Sequence, residues 1–510
     1  MLPGVSDEHE PKEKPSSDSR EWGGDDSLML FGVTALAAVT RIFRLGSPKR
    51  FIFDEVYYAK EACHYVGVTE SLCRYPKHPP AEVHPPLAKW IMGLGVKVLG
   101  ADPLGWRIAA AVFGVIGVIL LFLLARKIFR STLAAAVAAG LLAFDPLNFV
   151  QSRAALLDIF PATFGIAAFL FLAYDRDHMQ KRAHADGKTG LLSRPWRLAA
   201  GLAAGAATAS KWSGGLIFIA VILLTLVWEV GRRKEHGWGT ALLQTLKQES
   251  LSIVLFLGAL PFVLYVASYI GRLDGAVLQP LADNSWFRQW VEYQTNAFTF
   301  HRGLRSHHGY ESPPISWIAM KRPLLYWSEQ TGAQHASIYA FGNPLVWWPS
   351  VVALGYIFVR WLKNRDWSQP EGLILMGFAT TYLAWVVLAP QRTAVFLFYM
   401  LPAIPFMCLA ISYVVGVLAK GKARKVAVGL TILFSAGWFF AYYPIIANVP
   451  IPTERWDAQM FFSDCKVPPR RDVQTQTVTQ AQDRQTTIVK TNVRTATSTK
   501  DIPPPGWCWR

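Results

Sequence analysis

Long apolar runs alternate with short polar stretches from residue 28 to about 445. The runs cover roughly 28–46, 104–125, 132–150, 154–174, 198–210, 213–231, 251–270, 344–360, 371–389, 393–418 and 425–445. Most approach the ~20 residues needed to cross a hydrocarbon core of ~30 Å. The pattern predicts an all-α polytopic membrane protein with about 11 transmembrane helices over 28–445. The fifth run is short and rich in Ala and Gly (AAGLAAGAATAS), which lets helix backbones approach closely and suggests one leg of a tight hairpin with the sixth. Two connections are long, 47–103 and 271–343, and a polar tail follows from 446 to 510. In the first, HPPLAKWIMGLGVKVLG combines a helix-starting Pro with an apolar body, predicting a helix that lies in the interface. In the tail, QTQTVTQ and TTIVKTNVRTATST alternate polar and β-branched residues. That pattern suits a small β-hairpin or a Thr-rich stalk. Residues 1–27 are polar and mixed in charge, read as a disordered cytoplasmic leader without a cleavable signal.

Composition agrees: 52% of residues are hydrophobic and only 17% charged. The net charge of +16 invites a nucleic-acid reading, but the positions of the charges exclude it. They lie in short loops between apolar runs, where a topology signal belongs. With the N-terminus inside, one set of loops holds twenty basic residues, from Arg126, Lys127 and Arg130 to Lys420, Lys422, Arg424 and Lys425. The opposite short loops hold three: Arg153, Lys211 and Arg392. This bias predicts a plasma-membrane protein with the long connections and the tail outside. Cys63, Cys73, Cys465 and Cys508 would then face an oxidising compartment, with Cys63–Cys73 and Cys465–Cys508 as plausible disulfides and free thiols the alternative.

The three lone outer cations are a candidate site. Each sits at the lip of a run, where a charge is costly without a partner or ligand. Converging, they would hold a lipid-linked phosphate. Pairing with Asp145 or Asp158 is the competing reading, although Arg153 and Asp158 would lie about 140° apart on one helix. The first outer loop carries RFIFDEVYYAKEACHY, with adjacent carboxylates Asp54 and Glu55 among aromatics. One of them can act as a general base on a hydroxyl while its neighbour orients the substrate. His84 stands at the start of the interfacial helix, where a cap is the usual role. The second loop places His301, His307, His308, Tyr310 and Glu311 together, a set suited to gripping a sugar or phosphate. Their spacing matches no standard zinc site, so no metal is expected. No glycine-rich phosphate loop is present, which argues against a nucleotide donor.

FDEVYYAK, HPPLAKW, SRAALLDIF, SKWSG and the HGYESPP loop together resemble the protein O-mannosyltransferases, glycosyltransferase family 39 of the GT-C superfamily. The likeness runs from the first span to about 445. The chain lacks the long MIR-type domain of the fungal and animal enzymes, and its PPPGWCW ending is similar to the actinobacterial branch. The resemblance implies a GT-C fold and inverting transfer of mannose from polyprenyl-phosphate-mannose. The acceptors it implies are Ser/Thr hydroxyls of proteins leaving through the secretion machinery. It makes Asp54 the catalytic aspartate, Glu55 its companion and Arg153 the contact to the donor phosphate. No divalent cofactor is expected. The competing readings are a GT-C transferase acting on a glycan or lipid, and a lipid-linked-sugar transporter. The transporter would show repeated halves, and none is evident.

Overall fold

The structure is a computed structural model that describes residues 21–74, 83–185, 191–269, 285–304, 308–389 and 394–460, with the short pieces 475–476 and 490–491. Its helices are α1 (Gly24–Ile42), α2 (Glu55–Tyr65), α3 (Leu87–Leu99), α4 (Pro103–Phe129), α5 (Thr132–Ala143), α6 (Pro146–Gln151), α7 (Ile159–Ala185), α8 (Pro195–Ser210) and α9 (Gly214–Arg232). They continue with α10 (Trp238–Ala267), α11 (Trp286–Gly303), α12 (Pro344–Asn364), α13 (Pro370–Leu388), α14 (Leu397–Leu418), α15 (Gly421–Ile446) and α16 (Thr453–Gln459). Among the described residues, 8 helices are long and apolar enough to cross a membrane: α4, α7, α9, α10, α12, α13, α14 and α15. The other expected spans correspond to α1, which carries Asp25, Asp26 and Arg41, to α5 with α6, and to the 16-residue α8.

Two expected spans are broken, and both breaks matter. The run 132–150 stops at Ala143 because Asp145 starts a new helix: its carboxylate accepts from Asn148 N at 2.9 Å and Trp347 Nε1 at 2.8 Å. The run expected from 154 becomes helical only at Ile159, leaving residues 152–158 as a turn at one end of the bundle. The small residues of α8 work as anticipated. A Cβ on Gly214 would collide with Ala207, closing the α8–α9 hairpin, and one on Gly205 would lie 2.8 Å from Pro261 Cα, so α10 also presses against α8.

The first long connection holds α2, joined to the Ser71–Cys73 turn by the Cys63–Cys73 disulfide, and α3. Lys89 of α3 pairs with Glu61 of α2 at 2.9 Å, both buried. The α3 helix, expected at the interface, packs on α2 and α4 and exposes Leu94 and Val98. The second connection contains α11 and an antiparallel hairpin, β1 (Leu324–Thr331) and β2 (Gln334–Ala340), that the apolar pattern did not suggest. Its two-residue turn uses Gly332 at φ 61°, the left-handed region that tight hairpins favour. β3 (Ile451–Pro452) adds to β2, and α16 folds back so that Trp456 stacks on His335 at 3.8 Å. Thr475–Gln476 and Lys490–Thr491 pair antiparallel in the tail. Cys465 and Cys508 lie outside the described residues.

Candidate active site

The site is built on the turn before α2. Phe51 stacks on Trp106 at 4.6 Å and Ile52 is buried, which anchors the turn in α4. Phe53 then takes φ 45°, a conformation that costs an aromatic residue on the order of 1–2 kcal/mol. The ring is held there by stacking on Tyr326 of β1 at 4.6 Å and by edge contacts with Phe396 and Phe398. This kink separates the two carboxylates that follow.

Glu55 turns inward and is fully buried. Its Oε1 accepts from Arg107 Nε at 2.8 Å and Ala155 N at 2.9 Å, and its Oε2 from Arg107 Nη2 at 2.8 Å and Ile52 N at 3.0 Å. Arg107 also donates to the carbonyls of Leu45, Pro48 and Arg50. Glu55 therefore ties the 45–55 turn to the 152–158 turn, and no lone pair is left for substrate. The expectation that it orients substrate is corrected: it is a positioning residue.

Asp54 faces the other way. It stands at the N-cap of α2, yet its carboxylate does not cap the helix and makes no hydrogen bond or ion pair with any described residue. It is half-buried, sunk among protein atoms but still touched by solvent. Burial pushes its carboxyl up to about 6; Lys211 opposes that rise and Asp158 adds to it. Lys211 Nζ is bound to both oxygens of Asp158 at 2.8 Å and lies over Phe398 and Tyr399 at 5.4 and 5.0 Å. Tyr58 and Tyr326 border the same carboxylates, and burial raises both phenols well above their usual range. Gln151 Nε2 donates to Tyr326 Oη at 2.6 Å, fixing that ring beneath Phe53.

The other expected site residues divide. Arg153, expected to contact the donor phosphate, is engaged by backbone in this structure. It is buried, donates Nη1 to the carbonyls of Thr40, Arg41 and Phe43 at 3.2, 2.7 and 2.7 Å, and donates Nη2 to Arg44 O at 3.2 Å. It satisfies the orphan carbonyls at the C-terminus of α1. Arg392 and His307 lie outside the described residues. His308 reaches the site through ring contacts with Phe53 at 6.3 Å and Phe396 at 5.3 Å. Its Nδ1 accepts from Tyr310 N, and burial lowers the imidazole, with Glu311 partly opposing. Glu311 Oε2 accepts from His308 N and Ala394 N, stapling the 308–312 turn to the segment before α14. Tyr310 packs against the core with its phenol raised by burial. The His84 and His301 rings lie 5.1 Å apart, tilted by 38°. His301 contacts Val83 O at 3.0 Å and lies against Trp212, next to Lys211. They join α11 to the start of α3 beside the site, more than a capping role for His84.

Several participants escaped the sequence reading. Asp158 entered only as a partner for other cations, although SRAALLDIF carries it. Arg107 had a signal, an arginine inside the apolar run 104–125. Phe53, Tyr58 and Tyr326 had none, because aromatics are common throughout such a chain.

A carboxylate without a hydrogen bond or ion pair to any described residue thus stands beside a lysine–aspartate pair at one end of a multi-helix bundle. The fold matches the solved Saccharomyces cerevisiae protein O-mannosyltransferase Pmt1–Pmt2 complex bound to the sugar donor, with a TM-score of 0.69 at 16% identity, covering 88% of this chain and 93% of that one. It also matches ArnT from Cupriavidus metallidurans bound to undecaprenyl phosphate, at 0.52 and 14%, covering 87% and 81%. In sequence, the chain is 34% identical over 479 residues to the polyprenol-phosphate-mannose–protein mannosyltransferase of Mycolicibacterium smegmatis, covering 84% of this chain and 91% of the relative. It is 31% identical to that of Mycobacterium tuberculosis, covering 84% and 90%. The family described as dolichyl-phosphate-mannose-protein mannosyltransferase matches residues 32–271, and the C-terminal four-span region of protein O-mannosyltransferase matches 286–465. The chain belongs to this protein mannosyltransferase family.

Proposed function

We propose that the chain transfers mannose, with inversion, from polyprenyl-phosphate-mannose to Ser and Thr hydroxyls of secreted proteins at the outer face of the plasma membrane. The donor and acceptor class follow from the names of the relatives. The outer face follows from the basic residues of the opposite loops. The observation that carries the chemistry is the division between Asp54 and Glu55: one carboxylate is unengaged, the other saturated. Asp54 accepts the proton of the acceptor hydroxyl as its oxygen attacks the anomeric carbon. The bond from that carbon to the phosphate oxygen breaks, and polyprenyl phosphate leaves with the bonding pair. A single displacement inverts the centre. Phosphate leaves as an anion, so no general acid is needed. Asp158 takes two of the three Nζ–H donors of Lys211, leaving one for a phosphate oxygen. The stacked rings Phe396 and Phe398 border Phe53, the residue before Asp54, and such faces suit the apolar side of a pyranose. No divalent ion is required in this scheme.

The test is incubation of the purified enzyme in lipid vesicles with polyprenyl-phosphate-[3H]mannose and a Ser/Thr-Pro-rich peptide. Labelled peptide that releases its mannose by β-elimination is expected. An unlabelled peptide beside a labelled glycan or lipid would move the chain to another acceptor class.

A further inference from the structure

A cavity of about 730 Å³ opens between α7, α9 and α12 at the end of the bundle remote from Asp54. Along α7, residues 158 to 176 span ~27 Å, and Arg176 is in its wall. Two acidic residues of the wall, Asp175 and Glu229, are neutralised by arginines, of which Arg197 and Arg232 also line the cavity. Arg194 and Arg197 pair with Asp175 at 3.1 and 3.3 Å and with Glu229 at 2.8 and 2.7 Å. Arg232 and Arg233 reach Glu229 at 2.7 and 2.6 Å, and Glu249 completes the cluster. Four guanidinium groups thus face three carboxylates, leaving a net positive charge in the cluster at the wall.

At the rim, Lys234 and Arg365 are exposed and make no ion pair with any described residue. The nearby Asp366 carboxylate accepts from Ser368 N and Gln369 Nε2, and Lys234 also helps hold it below its usual range. Trp361, also in the wall, has a buried indole N–H with no acceptor among the described residues. Arg176 lies over Trp228 at 4.7 Å, and Trp228 donates to Trp367 O. The inner wall is apolar, with Leu172, Val227 and Leu362. Exposed cations at the rim, with a buried indole N–H that has no acceptor among the described residues and an apolar wall, match an amphiphile with an anionic head.

We propose that this cavity binds the phosphodiester headgroup of an anionic phospholipid, between Lys234, Arg365 and the Trp361 indole, with an acyl chain along the apolar wall. A soluble phosphate would satisfy the rim but not the wall. The helices flanking the cavity are long and apolar enough to cross a membrane. Its tryptophans stand where an aromatic belt and an anionic leaflet meet a bundle.

The test uses the full-length enzyme in detergent, titrated with phosphatidylglycerol and followed by native mass spectrometry. One tightly held lipid per chain is expected. Each rim cation contributes roughly fivefold, so K234Q/R365Q should weaken binding roughly thirtyfold and K234R/R365K should keep it. Mannose transfer in phosphatidylcholine vesicles should be the same for all three, showing that the variants are folded. If the double variant fails to fold, the single variants carry the fivefold test. Unchanged binding in K234Q/R365Q would overturn the proposal. So would phosphatidylcholine binding as tightly, or inorganic phosphate displacing the lipid at equal concentration.

Discussion

Replacing Asp54 by Asn should abolish transfer and stabilise the protein, because one carboxylate is both the base and an ill-solvated charge. The carboxyl rises from 3.8 to about 6 on folding. Each unit is worth 1.36 kcal/mol, so ionising Asp54 at pH 7 costs the folded state roughly 3 kcal/mol, reduced to about 2 kcal/mol by the solvent that still reaches it. The sign follows from the direction of the shift. A carboxyl raised by folding holds its proton more tightly in the native state. The penalty is absent below about pH 3.8, where both states are protonated, grows up to about pH 6, and is complete above it. The Asn variant should therefore resist heating better than the parent at pH 7, and the gap should shrink at pH 5. Its kcat for peptide mannosylation should fall by about 10² to 10⁴, the usual contribution of a positioned base, while donor KM changes little. In the parent enzyme kcat/KM should lose activity below about pH 6, as Asp54 protonates. The assays are fraction folded after heating at the two pH values, and initial rates with labelled donor and peptide. A variant retaining a tenth of the parent rate would refute the catalytic assignment. A variant melting with the parent at both pH values would refute the electrostatic one.

Glu55→Ala should behave differently, because it strands the fully buried Arg107 guanidinium and frees two backbone N–H groups. A loss of about 3–5 kcal/mol is expected, read as a low yield of monodisperse protein and early melting; melting like the parent would remove Glu55 from the scaffold. Lys211→Met should move the acidic limb of the pH–rate profile to higher pH, and Asp158→Asn should move it lower, since Lys211 lowers and Asp158 raises the Asp54 carboxyl. Limbs that stay in place would separate these groups from Asp54. Excess EDTA should leave the initial rate unchanged; a loss restored by magnesium or manganese would require a metal in the mechanism.

Much of the candidate site could be read along the chain, but not its division of labour. Adjacent carboxylates must point apart, so the sequence already implied that only one of Asp54 and Glu55 meets substrate. Which one depends on Arg107, 52 residues further on, and on the backbone N–H of Ala155. The lone outer cations looked equivalent, since each is a charge at the lip of an apolar run. Arg153 proved to cap α1, and Lys211 to bind Asp158 across two helices. The hairpin 324–340 went unseen because attention to runs of ~20 apolar residues passes over strands of seven or eight.

By itself, the sequence determined the membrane class, the approximate spans and the charge asymmetry, because these depend on the local free energy of moving each segment from water to hydrocarbon. It also marked the loop around Asp54. Only the tertiary structure decided which charges are left without a protein partner among the described residues and which face each other. A buried ion is tolerated only with partners, and those partners come from segments brought together by packing rather than by order along the chain.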